Sequence, residues 1–120
     1  MVNPALINVQ IPGTLKEIVT EIGVRNRRIS ELVDAGRFAD IWLPAFEAKD
    51  LALAIIGYGP GMPTYKRRGL DPAVNRLVRA AWMLDAFGDL GNREQITAAY
   101  AEFASSVTAI ETLAGGGAQQ

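Results

Sequence analysis

Tyr58, Tyr65 and the consecutive cations Lys66, Arg67 and Arg68 share one Gly- and Pro-rich stretch running from Gly57 to Asp71. Tyrosine offers flat, amphipathic contact area, and tyrosine and arginine are the residue types in which interface binding energy concentrates. Together they would form a recognition surface. The stretch supplies no activated nucleophile, no base of suitable pKa and no cluster of soft metal ligands, so its chemistry is contact rather than catalysis. The competing account is structural: a stiffened connection whose tyrosines close over one end of a core. Cations just ahead of a helix N-terminus oppose its dipole, which argues that something other than helix stability holds them there.

Arg76 and Arg79 continue the positive run, so five of the 12 Lys and Arg residues fall between Lys66 and Arg79. Nucleic-acid binding would use such a patch with Tyr65 as a stacking platform. The chain carries 13 acids and a formal charge of −1, and that balance argues against nucleic acid and against an anionic membrane.

Arg25 and Asn26 pose a different question. The seven-residue spacing that turns Ile18 and Leu32 inward also turns Arg25 inward, and the Val19–Val33 spacing does the same for Asn26. An unpaired buried charge is very costly. One resolution is a small-anion site, binding or catalytic, built from Arg25, Asn26 and Arg79, with Glu47 or Asp85 as internal competitors. Another is a local bend at Gly23 that lets Arg25 snorkel to water. A third is a polar seam residue that sets register or oligomeric state.

Histidine and cysteine are both absent. Disulfides, thiolate and imidazole catalysis, Cys/His zinc sites and covalent haem attachment are thereby excluded. The di-iron bundle pattern needs Glu-x-x-His, so no metal or cofactor is expected. Gly57-x-Gly59-x-Gly61 follows a helical pattern, not a strand, and is no nucleotide loop. No apolar run approaches the roughly 18 residues of a membrane span, and Met1-Val2-Asn3-Pro4 lacks the features of a secretory signal.

Four helical segments must position these residues. Residues 1–13 read as an extended arm, with Ile7, Val9 and Ile11 alternating with Asn8 and Gln10 between Pro4 and Pro12. The first helix opens on a Thr14–Glu17 capping box and stops at Gly36. The second begins near Arg37 or Phe38, with a kink or break expected at Leu43–Pro44, and ends at Gly57. The third starts with Asp71 as N-cap and Pro72 in first position and stops at Gly88. The fourth runs from Asn92 to Ala114, and residues 115–120 form a flexible Gly-rich tail. The apolar seams are Leu15, Ile18, Ile22, Ile29 and Leu32; Phe38, Ile41, Ala45, Ala48, Ala52 and Ile55; Val74, Leu77, Ala81 and Leu84; and Ile96, Tyr100, Phe103, Val107, Ile110 and Ala114.

The expected fold is all-α: an antiparallel four-helix bundle, up-down-up-down, over residues 14–114, with the arm attached. The run Trp82-Met83-Leu84-Asp85-Ala86-Phe87-Gly88-Asp89-Leu90-Gly91-Asn92, leading to Tyr100, Phe103 and Ile110-Glu111, resembles uncharacterised small exported bacterial four-helix-bundle proteins. So does Ala48-Lys49-Asp50-Leu51-Ala52. Their architecture is that of cytochromes of the b562 and c′ type. The haem ligands of those cytochromes are missing here, so the resemblance implies architecture and a periplasmic, exported location, not haem chemistry. The resulting expectation is a non-catalytic domain acting by protein interaction or self-association, a homodimer among the options, through the middle stretch and the N-terminal arm.

Overall fold

The computed structural model describes residues 9–114; Ile7, with the rest of the first half of the arm, and the tail 115–120 lie outside the described residues. Four α-helices make up the fold: α1 (Leu15–Asp34), α2 (Trp42–Ile56), α3 (Thr64–Leu90) and α4 (Arg93–Leu113). No strand occurs among the described residues. The described part of the arm, Val9–Gly13, is neither helix nor strand.

The ends of α1 and the start of α4 follow from local chemistry. Thr14 is extended, and its Oγ1 accepts the Glu17 amide at 3.2 Å while donating to Glu17 Oε1 at 2.8 Å. Asn92 repeats this on Gln95, with both contacts at 3.1 Å. In each pair the longer side chain returns to the capping side chain and not to the cap's backbone amide. At the other end of α1, Gly36 takes φ +73, and the amides of Gly36 and Arg37 close on the carbonyls of Val33 and Leu32. That is the Schellman termination.

The second helix departs from expectation in a small way. A 3-10 turn, Phe38–Asp40, precedes it, and the break falls at Ile41, ahead of Pro44. Pro44 sits in the first turn of α2, where its missing N–H would have had no helical partner, so it breaks nothing.

The third helix requires two corrections. Asp71-Pro72 is not its start: α3 begins at Thr64, after Pro63, and Pro72 lies inside it. The reason is burial. Leu70 is buried with Val74, Leu77 and Leu84, and Gly69 lies against the Leu113 side chain of α4. Leu70, Leu77 and Leu84 share one seven-residue spacing, so apolar contact extends the helix past a proline that costs it one hydrogen bond. The irregular segment therefore shrinks to Gly57–Pro63, itself containing a 3-10 turn, Gly59–Gly61. Nor does Gly88 stop the helix. It is buried within α3, and Gly91, at φ 66, makes the stop, with the amides of Gly91 and Asn92 closing on Gly88 and Phe87.

Packing runs round the fold in order: α1 on α2, α2 on α3, α3 on α4, and α4 back on α1. One core cluster joins all four and buries most of the predicted seam residues; Leu15, Phe38, Tyr100 and Ala114 are only partly buried and pack against it. Phe46, Leu51 and Leu70 are buried in the cluster too. Burial of each large side chain of this kind contributes about 1.5–3 kcal/mol. Ser106, the one buried polar residue among the described residues, satisfies its hydroxyl on the Glu102 carbonyl one turn back, at 2.9 Å.

Candidate functional site

The start of α3 decides where the middle-stretch residues stand. Helical geometry turns successive residues by about 100°, so Lys66, Arg67 and Arg68 fan round α3 instead of forming one cationic block. Tyr65, 69% exposed, shares a face with Arg68. Arg67 turns the other way and lays its stem over the buried Gly59, where a Cβ would meet Arg67 Cδ at 3.2 Å. Lys66 is half-buried. This end of α3 has no side-chain cap and no acid in its first turn. Three cations there oppose the helix dipole more directly than they would from a preceding loop.

Tyr58 remains in the connection. Its hydroxyl donates to the Gly13 carbonyl at 3.3 Å. That contact ties the segment after α2 to the base of the arm, two regions that sequence reading singled out separately. Beyond Gly13 the arm passes alongside α1, and a groove of about 660 Å³ opens between them. Gln10, Ile11 and Pro12 form one wall; Lys16, Glu17, Thr20, Glu21 and Arg25 form the other.

Arg25 stands at the far end of this groove. It neither snorkels free nor waits for a ligand: its side chain is 20% exposed and is held by two carboxylates. Glu21, one turn back on α1, takes one terminal nitrogen, and Glu47 of α2 accepts from Nε at 3.3 Å. Glu47 was one of the two competitors foreseen, whereas Glu21 was not. It is visible in the sequence as an i,i+4 partner. Asn26 faces α4, where the Tyr100 hydroxyl donates to its backbone carbonyl at 3.4 Å; its own Oδ1 is buried without a hydrogen-bond partner.

Arg79 does not join them. It lies over a separate hollow of about 180 Å³ between α3 and α4, with Arg76, Ala80, Met83 and Glu102. Arg25 lines the groove beside the arm and Arg79 this hollow, so the two share neither cavity. Asp85, the other foreseen competitor, has its carboxyl pKa raised above the ordinary 3.8, first by burial and then by the charge of Asp89 one turn on.

A further feature escaped sequence reading. Phe46 packs edge-on to Trp82, centroids 4.8 Å apart, and Lys49 lies over both rings. Trp82 is nonetheless 47% exposed, and Leu43 and Leu53 of α2 are exposed as well. Because α2 is apolar on nearly all sides, its periodicity did not single out Phe46.

Among the described residues, no three acids converge to hold a metal ion, and no helix is long and apolar enough to cross a membrane. No family model matches the chain, and neither a curated protein nor a solved structure matches it.

Proposed function

We propose that this chain is a non-catalytic helical module that works by contact with protein, a copy of itself included. The observation that carries the reading is the Tyr58–Gly13 hydrogen bond, which makes one continuous face of the arm and the connection after α2. Ile11 and Tyr58 are exposed on that face, and Tyr65 and Arg68 stand on the neighbouring first turns of α3. Tyrosine and arginine flanked by uncovered apolar groups is the composition of a binding surface.

The same proposal takes the helices as alternating up and down in an antiparallel bundle. Its support is pairwise. Phe46, early in α2, meets Trp82, late in α3. Gly69, early in α3, meets Leu113, at the end of α4. Along α1 and α4, Asn26 pairs with Tyr100 and Gly23 with Glu111, so one chain descends as the other climbs.

The small-anion alternative has lost its main support, because two carboxylates already neutralise Arg25 and Arg79 lies elsewhere. Hydrogen exchange at low and high protein concentration tests the contact reading. Segments 9–13 and 57–68 are expected to slow together as concentration rises; uniform exchange at every concentration would count against it.

A further inference from the structure

The arm presents main chain that nothing in the described structure uses. Among the described residues, no hydrogen bond reaches the backbone of Val9, Gln10 or Ile11; the first carbonyl engaged is that of Gly13. Exposed and unpaired backbone beside an apolar side chain is a template for strand addition. Val9 is already packed on the core, while Ile11 is 44% exposed and lines the groove.

The dimensions of the groove say what fits. Its α1 wall runs from Lys16 to Arg25, which at 1.5 Å per residue is roughly 14 Å. That is the length of about four residues of extended chain. The wall mixes both signs, Lys16 and Arg25 at its ends with Glu17 and Glu21 between them. A charged peptide of either sign would meet like charge somewhere along it. An uncharged segment with alternating apolar residues avoids that conflict, and residues 5–12 are such a segment, with no Asp, Glu, Lys or Arg. Pro12, lacking an N–H, marks where pairing must stop.

Building on the contact reading above, we infer that the partner is a second copy of this chain, and that the two arms pair antiparallel, each lying in the other's α1 groove. The arrangement is self-complementary about a two-fold axis, so it closes at a dimer. Ile11 of each copy is then covered, and the backbone of Val9–Ile11 gains partners.

Light scattering and sedimentation of the full chain test this against three variants. Gln10→Pro removes one arm amide without touching the helices, and Val9 before it is already outside any helix. Ile11→Lys places a charge in the pairing face. Tyr65→Ala alters the exposed surface of α3 alone. The full chain is expected to be a dimer, with Q10P and I11K each weakening it roughly tenfold or more, while helical circular dichroism and melting temperature of the monomer hold. A dimer that withstands Q10P and I11K but is lost in Y65A would overturn arm pairing and leave the contact reading standing. A dimer sensitive to I11K but not to Q10P would also overturn it, because side-chain contact would then suffice. A full chain that stays monomeric at millimolar concentration would overturn arm pairing and the self-association part of the contact reading, leaving contact with a different protein standing.

Discussion

The carbonyl oxygen of Phe38 lies 2.7 Å from where a Cβ on Gly88 would stand. The 3-10 turn ahead of α2 therefore rests directly on the backbone of α3. Glycine is needed at position 88 for that approach, not to end the helix. Gly88→Ala would force backbone apart and is expected to cost about 1–3 kcal/mol, more than the roughly 1 kcal/mol an alanine ordinarily gains over glycine in a helix. Gly91→Ala is expected to cost about 1–2 kcal/mol for a different reason, the left-handed backbone at that position. Gly61, with open space around it, provides the control. Urea unfolding at constant m-value measures all three.

Pro72 separates two accounts of α3. Were it the first residue of the helix, alanine there would be neutral or harmful. Placed in the helix interior, it withholds an N–H from the Arg68 carbonyl. Pro72→Ala should then stabilise the fold, by about 1–2 kcal/mol once the greater freedom of the unfolded chain is deducted from the interior proline cost. Thermal melting decides the sign, and amide exchange at Tyr65–Leu70 should slow in the variant.

Arg25 holds Glu21 and Glu47 in a setting neither fully dry nor fully wet. Removing the guanidinium leaves two carboxylates near each other, so Arg25→Met is expected to cost more than Glu47→Gln. A double-mutant cycle between positions 25 and 47 should give a coupling of about 1 kcal/mol, above the median for exposed pairs. A coupling of zero would mean that α1 and α2 are joined here by packing alone.

Asp85 supplies the pH dependence. Its folded pKa lies above the ordinary 3.8, through burial first and the charge of Asp89 second. Between those two values the folded state binds more protons than the unfolded state, so stability falls as pH rises through the window. The ionised carboxylate is thus a net burden at neutral pH. Asp85→Asn should melt higher than the parent at pH 7, with the difference closing below pH 3.8, where the parent carboxyl is protonated in both states. Asp89→Asn should act in the same direction and less strongly.

Local signals were legible wherever their meaning depended on neighbours a few residues away. Thr14–Glu17, Asn92–Gln95 and Gly36 act through hydrogen bonds within one turn, and each ends a helix where the spacing places it. Asp71-Pro72 has the same local appearance and a different outcome. What overrides it is contact with α4, which no short window contains; the hint was the Leu70–Leu77–Leu84 spacing, read only from Leu77 onward. The candidate site divides along the same line. The heptad position of Arg25 was legible, but its neutralisation by Glu47 depends on how α1 lies against α2.

By itself, the amino-acid sequence determined that this chain is all-α, most of the residues that form its seams, and which chemistries are closed to it, because periodicity, caps and the absence of His and Cys are properties of the chain alone. Only tertiary structure decided that Lys66, Arg67 and Arg68 ride on a helix, that Arg79 stands apart from Arg25, and that Tyr58 binds the base of the arm at Gly13. Each of those outcomes rests on packing between elements far apart in sequence, where buried apolar area outweighs local preference.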